Sequence, residues 1–168
     1  MTVEAARTAS AADLDLLVRL GEGLRREVAA ERGGALWALR EGYGIGPGRL
    51  ADRIASPEAL VVVGTVDDVP VGYAVVAIEN LGDGSRLGVI EELFTESAAR
   101  AVGVGEAMLD AVLDFCERNG CRGVDAGALP GQREAKNFFE RAGFTARRLV
   151  MHRGFGSPPG PEPAPTGR

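Results

Sequence analysis

The sequence predicts a layered α/β domain, and three observations carry that reading. The chain has 168 residues, 45% of them hydrophobic and 26% charged, enough for one core and too few for two comfortable ones. Runs of β-branched residues alternate with stretches in which apolar residues recur at helical spacing. One such run, Leu87 to Phe94, passes through the glycine-bearing turn Arg100–Gly105 into an amphipathic stretch, Glu106 to Arg118.

Val3 to Thr8 reads as a first strand. Ser10-Ala11-Ala12-Asp13 has the form of a capping box, with Asp in place of Glu, and opens a helix reaching about Ala30. Leu14, Leu17, Leu20, Leu24 and Val28 give that helix one apolar stripe. Gly33-Gly34 ends it, and Ala35 to Glu41 forms a second helical piece. Gly42 to Gly48, with Tyr43 inside it, is a glycine-rich loop. Arg49 to Ala55 is a short helix stopping before Ser56-Pro57. Ala59 to Val66 and Val71 to Ile78 are strands joined as a hairpin through Asp67-Asp68-Val69-Pro70. Leu87 to Thr95 is the next strand, after the turn Gly82-Asp83-Gly84. From Glu106 to Arg118, Met108, Leu109, Val112, Leu113, Phe115 and Cys116 face one way and Glu106, Asp110, Asp114 and Glu117 the other, so this helix covers a sheet. Asn119-Gly120 supplies its left-handed stop. Arg122 to Ala128 is a strand, Gln132 to Arg141 a helix stopped by Gly143, and Phe144 to Arg153 a last strand. Residues 1–153 thus form the domain, and 154–168, mostly Gly, Pro and small polar residues, form a disordered tail.

The junction at Arg100–Gly105 carries the chemistry. A strand that turns through glycines into a helix leaves backbone N–H groups unpaired, and the helix dipole adds to them, so the turn suits an anion such as phosphate. The dinucleotide fingerprint would need Gly or Ala three residues after Gly105, where Met108 stands, and the Gly-Lys-Ser/Thr of a Walker loop is absent. Taken alone, Gly103 and Gly105 suit a tight turn with close helix packing equally well.

The surroundings of the turn resemble the GNAT acetyltransferases, the superfamily of GCN5-related N-acetyltransferases. Arg100-Ala101-Val102-Gly103-Val104-Gly105 matches that family's Gln/Arg-x-x-Gly-x-Gly/Ala motif. Glu91-Glu92-Leu93-Phe94-Thr95 is similar to the strand before it, and Ala135 to Phe144 to the family's second motif, ending in aromatic-Glu-x-x-Gly-Phe. The resemblance spans about Val3 to His152. It implies a mixed, mostly antiparallel sheet with helices on both faces, and acetyl-CoA as co-substrate. It also implies that the backbone of Ala101, Val102, Gly103, Val104, Gly105 and Glu106 cradles the CoA pyrophosphate. The preceding strand would carry a bulge and splay from its neighbour, so that Leu93, Phe94 and Thr95 bind pantetheine as an added strand. The Leu93 amide would face the thioester carbonyl as an oxyanion donor.

Acetylation of an amine by direct attack in a ternary complex needs a general base. Glu92 is the first candidate, Glu91 the second and Asp125, on the neighbouring strand, the third; side-chain alternation points one of the two glutamates toward the acceptor unless a bulge disturbs the count. Each of the three equally suits a plain exposed or salt-bridged strand carboxylate. The sequence departs from the family pattern at three points. Phe139 stands where many relatives carry a Tyr that protonates the leaving thiolate. Gln132 stands where an Asn often bonds the cofactor. Only one strand fits after Gly143-Phe144, which leaves the acceptor site open or closed by a second subunit in a homodimer. A CoA-binding sensor or assembly module without chemistry is the rival reading, with Phe139 as its support.

The acceptor is an unspecified small-molecule or peptide amine. A net charge of −5 argues against nucleic acid and anionic membranes as partners. Nothing approaches the ~20 apolar residues of a membrane span, and Met1 to Asp13 lacks the form of a signal peptide, so the expected compartment is the cytoplasm. Cys116 and Cys121 suit a disulfide or, as is more usual for two cysteines in a chain that is not secreted, two reduced core residues. His152 is the only histidine, and no metal site is expected. Trp37 and Tyr43 fall where the acceptor side would lie, Trp37 suiting the core as well.

Overall fold

A computed structural model describes residues 2–42 and 46–156. Five strands form one sheet in the order β1 (Glu4–Thr8), β2 (Ala59–Val66), β3 (Val69–Asn80), β4 (Arg86–Thr95) and β5 (Cys121–Ala126). The first four are antiparallel and β5 runs parallel to β4. On one face lie α1 (Leu14–Ala30), α2 (Gly34–Arg40) and α3 (Pro47–Ala55). On the other lie α4 (Val104–Arg118) and α5 (Arg133–Arg141). The layered α/β class and the mostly antiparallel sheet with helices on both faces are what the sequence led one to expect.

Strand alternation sends each strand's apolar residues into two cores. Val61, Val63, Tyr73, Val75 and Phe94 meet the Leu17, Leu20, Leu24 and Val28 stripe of α1. Val62, Ala74, Val76 and Ile90 meet Met108, Leu109, Val112 and Cys116 of α4. The β2–β3 hairpin closes on Asp67 and Asp68, both left-handed at φ 49° and 65°, the two-residue turn whose twist matches that of paired strands. The capping box is realised through the Ser10 N–H, which donates to Asp13 Oδ2 at 2.8 Å, and Arg7 grips the same carboxylate at 2.7 and 2.9 Å. α3 starts at Pro47, two residues before the boundary read from the sequence, with proline in the first turn where its missing N–H costs nothing.

One element differs in kind. Phe144 to Arg153 is not a strand: among the described residues no backbone hydrogen bond is made by 145–156. Leu149, Val150, Met151 and Phe155 stand exposed there. The residue types favour a strand, but a strand exists only when a neighbour pairs with it, and none of the five strands pairs with this segment. Tyr43 and the tail from residue 157 onward lie outside the described residues. Among those described, no helix is long and apolar enough to cross a membrane.

Candidate donor and acceptor site

The site begins as an irregularity in β4. β3 and β4 keep register from Asn80↔Arg86 to Val76↔Ile90 and again from Val75↔Glu92 to Gly72↔Thr95, which leaves Glu91 as the extra residue of a bulge. On the other side β5 stays paired only as far as Ile90↔Ala126, so β4 loses its neighbour just where it bulges. The Glu96 N–H donates to the Val71 carbonyl at 2.8 Å. By alternation Glu92 and Phe94 also turn their backbone groups to β3, while Leu93 and Thr95 turn theirs to the open side. The Thr95 carbonyl accepts Arg100 Nε at 3.0 Å. Among the described residues the Leu93 N–H and carbonyl and the Thr95 N–H remain as an open sheet edge.

That edge runs into the glycine turn. Ala101 and Gly103 are left-handed, at φ 64° and 98°, and the first helical bond of α4 is Ala107 N–H to the Gly103 carbonyl, at 3.0 Å. Among the described residues the N–H groups of 101–106 donate to no protein acceptor. Successive unpaired amides at the positive end of a fifteen-residue helix have the geometry and field that can hold an anion. Gly105 lets the turn approach α5 closely, since a Cβ there would meet the Phe138 ring at 3.3 Å, a tight contact. Arg100 acts as a strut: its side chain pairs with Glu27 of α1, reaches the Thr95 carbonyl and lies over the Phe94 ring, 5.9 Å from the centroid.

The bulge also sets the carboxylates. Ile90, before it, belongs to the α4-side core, whereas Phe94, after it, belongs to the α1-side core, so the faces exchange at Glu91. Glu92 and Glu91 consequently both meet partners of the α1–α3 side. Glu92 is 4% exposed and accepts a hydrogen bond from the Tyr73 hydroxyl. Burial pushes its carboxyl above the ordinary range, and the Tyr73 bond and Arg49 only partly offset this. Glu91 is half-buried, which pushes it up too. Arg53, at 2.7 and 2.9 Å, and Arg49, at 2.8 Å, overcome burial and hold it below the ordinary range. Asp125 does not join them. It sits on β5 opposite Val89 and pairs with Arg147, whose hydrogen bond lowers its pKa, and it lines a separate groove.

Glu91, Glu92 and Leu93 share a cavity with Leu24, Val28 and Trp37 on one side and Gln132, Phe138 and Phe139 on the other. Gln132 Oε1 accepts the Leu129 N–H at 2.8 Å, which closes its own turn. Phe139 packs between Phe138 and Phe144, with ring centroids 5.3 and 5.2 Å away. The free thiols are elsewhere: Cys116 is buried, which pushes its pKa up to about 12, and Cys121 lines the Asp125 groove. Among the described residues no cluster of His, Cys, Asp or Glu could hold a metal ion. Sequence reading missed Tyr73, Arg49 and Arg53. Their partners lie 19 to 42 residues away, so only strand register and helix placement reveal them.

The model of the acetyltransferase (GNAT) family matches residues 33–144. No curated protein sequence matches the chain. Solved structures share the fold. A variant of a Bacillus halodurans protein superposes with a TM-score of 0.76 at 17% identity, over 89% of this chain and 98% of its own. Glucosamine-6-phosphate N-acetyltransferase from Arabidopsis thaliana gives 0.66 at 18%, over 92% and 99%. A predicted acetyltransferase from Clostridium acetobutylicum, solved with acetyl-CoA, gives 0.69 at 15%, over 90% and 96%.

Proposed function

The chain belongs to the acetyltransferase (GNAT) family, and from that premise we propose that it moves the acetyl group of acetyl-CoA to a primary amine by direct attack within a ternary complex. The observation that carries this reading is the continuity of unpaired backbone from the open β4 edge at Leu93 and Thr95 to the six amides of 101–106. The amides of the turn hold the pyrophosphate, and the helix dipole adds to their field. Leu93 and Thr95 pair with the pantetheine amides as a strand would. The Leu93 N–H then lies beside the thioester and stabilises the oxyanion formed when the amine adds to the carbonyl carbon. Phe139 and Phe138 wall the thioester side, and the Gln132 amide is a further donor there.

Glu92 is the general base. A carboxylate whose pKa is raised by burial accepts a proton more readily near neutrality, and Glu92 lines the cavity where the amine must arrive. Glu91, held ionised by two arginines, is a fixed counter-charge that anchors α3. Asp125 lies on a different groove, which favours a structural role for it. No described thiol lines the cavity, which supports direct attack over a covalent acyl-enzyme. Phe139 cannot protonate the departing thiolate. A CoA thiolate tolerates leaving as the anion, and water supplies the proton.

Thiol release from acetyl-CoA across a panel of primary amines tests the proposal. Amine-dependent release with intersecting initial-velocity lines is the expected result. Parallel lines would indicate an acyl-enzyme, and acetyl-CoA binding without release for any amine would leave a CoA-binding module.

A further inference from the structure

The two walls of the cavity at Glu92 differ in kind. Phe138 and Phe139, from α5, stand on the side of the open β4 edge. Leu24 and Val28 of α1 and Trp37 of α2 make the other wall, which is wholly apolar. Trp37 is half-buried and packs on the α1-side core, and its ring lies against buried Gly42, where a Cβ would meet it at 2.8 Å. The indole is thereby held in place. Glu92 Oε2 takes the Tyr73 hydroxyl, while among the described residues no protein donor reaches Oε1. No fully buried side-chain oxygen among them lacks a partner, so Oε1 is open to the cavity that Glu92 lines. Among the described residues no Arg, Lys or His lines this cavity. Arg49 and Arg53 are taken by Glu91, at 2.7 to 2.9 Å, and Arg25 has contacts of its own.

We propose that the acceptor is a primary amine on a compact apolar body, aromatic or branched alkyl, bearing no carboxylate or phosphate, and that Trp37 selects it. This rests on the acetyl-transfer reading of the same cavity. The ammonium group is drawn to Glu92 Oε1 and to the indole, and the carbon body lies on Leu24, Val28 and Trp37. An anionic acceptor would bring its charge beside Glu92 with no cation among the lining residues to pair it. The cavity is about 110 Å³, below the about 300–1,000 Å³ usual for drug-sized ligands, so the body that enters is small. The ammonium sheds one proton to water before attack. As nitrogen bonds the acetyl carbon and the C–S bond breaks, Glu92 takes the second proton and the thiolate leaves.

Trp37 is the only tryptophan, so its emission reports the arrival of an amine without turnover or a variant. The full chain is titrated with phenethylamine and phenylalanine, and with 3-methylbutylamine and leucine, pairs that differ by one carboxylate. Each amine should change the emission saturably, with Kd about tenfold or more below that of its amino acid. Thiol release from acetyl-CoA should rank the four in the same order by kcat/KM. Trp37→Ala should raise KM for phenethylamine about tenfold and Trp37→Phe should restore most of it, with acetyl-CoA affinity unchanged in both. Amino acids that bind as tightly as the amines overturn the proposal, as does emission that no amine changes, or a KM that Trp37→Ala leaves in place. The two readings fail separately. Thiol release that favours the amino acids removes the acceptor class and keeps acetyl transfer. Emission that ranks the ligands as expected, with no thiol release for any, upholds the selectivity of the cavity and removes acetyl transfer.

Discussion

Glu91 and Glu92 are adjacent in a strand yet face the same helical layer, because the bulge opposite Val75 turns what would be opposite faces into one. The same displacement gives them opposite electrostatic fates. Glu91 is clamped by Arg49 and Arg53 and held ionised, and Glu92 is buried against Tyr73 with its pKa raised. One carboxylate is thereby fixed as a charge and the other is left able to take a proton.

Glu92→Gln should lower kcat by about 10²–10⁴-fold, the usual loss of a general base, while acetyl-CoA affinity stays near wild type. Steady-state kinetics beside calorimetry separates the two. A variant with unchanged kcat would remove Glu92 from the mechanism.

The pH profile follows from the same burial. A base must be unprotonated, so kcat/KM should fall as pH drops through a value above the ordinary glutamate range. The Tyr73 hydroxyl stabilises the charged form of Glu92. Tyr73→Phe should therefore move the acid limb of the profile to higher pH. A limb that stays in place would show that Tyr73 does not act on the titrating group.

Arg49→Ala/Arg53→Ala leaves Glu91 half-buried without a partner and releases α3 from β4. We expect a loss of about 1–3 kcal/mol, seen as a fall in Tm of roughly 2–4 °C per kcal/mol for a chain of this size. Adding Glu91→Gln to the pair should restore part of it, because the stranded charge is then gone.

Asp13 reports on folding alone. The Arg7 hydrogen bond, with help from the Ser10 N–H, lowers its pKa to about 2 against burial. A depressed carboxylate stabilises the fold above its ordinary value of 3.8, and that contribution disappears as pH falls toward 2. Wild type should accordingly lose stability over this interval, and Asp13→Asn should lose less. Denaturant titrations at both ends of the interval compare the two slopes.

Much of this was legible in the sequence, for local reasons. The stripe from Leu17 to Val28, the left-handed Gly120 and the Arg100–Gly105 junction are each specified within a few neighbouring residues, and each is present; the hairpin read through Asp67–Pro70 is present too, its turn narrowed to Asp67-Asp68 because β3 already starts at Val69. What escaped depends on pairing between distant segments. Alternation alone would send Glu91 and Glu92 to opposite faces; only the register against β3 reveals the bulge. Tyr73 sits in an apolar run that gives no hint of a carboxylate 19 residues on. Phe144 to Arg153 has the residue types of a strand, but none of the five strands pairs with it.

The most direct test is an amide-resolved NMR titration of the full chain with acetyl-CoA. Saturable shifts of Leu93, Thr95 and 101–106, abolished in Gly105→Val by the crowding of Phe138, are the predicted result. Absence of binding, or shifts confined to other residues, would contradict the account.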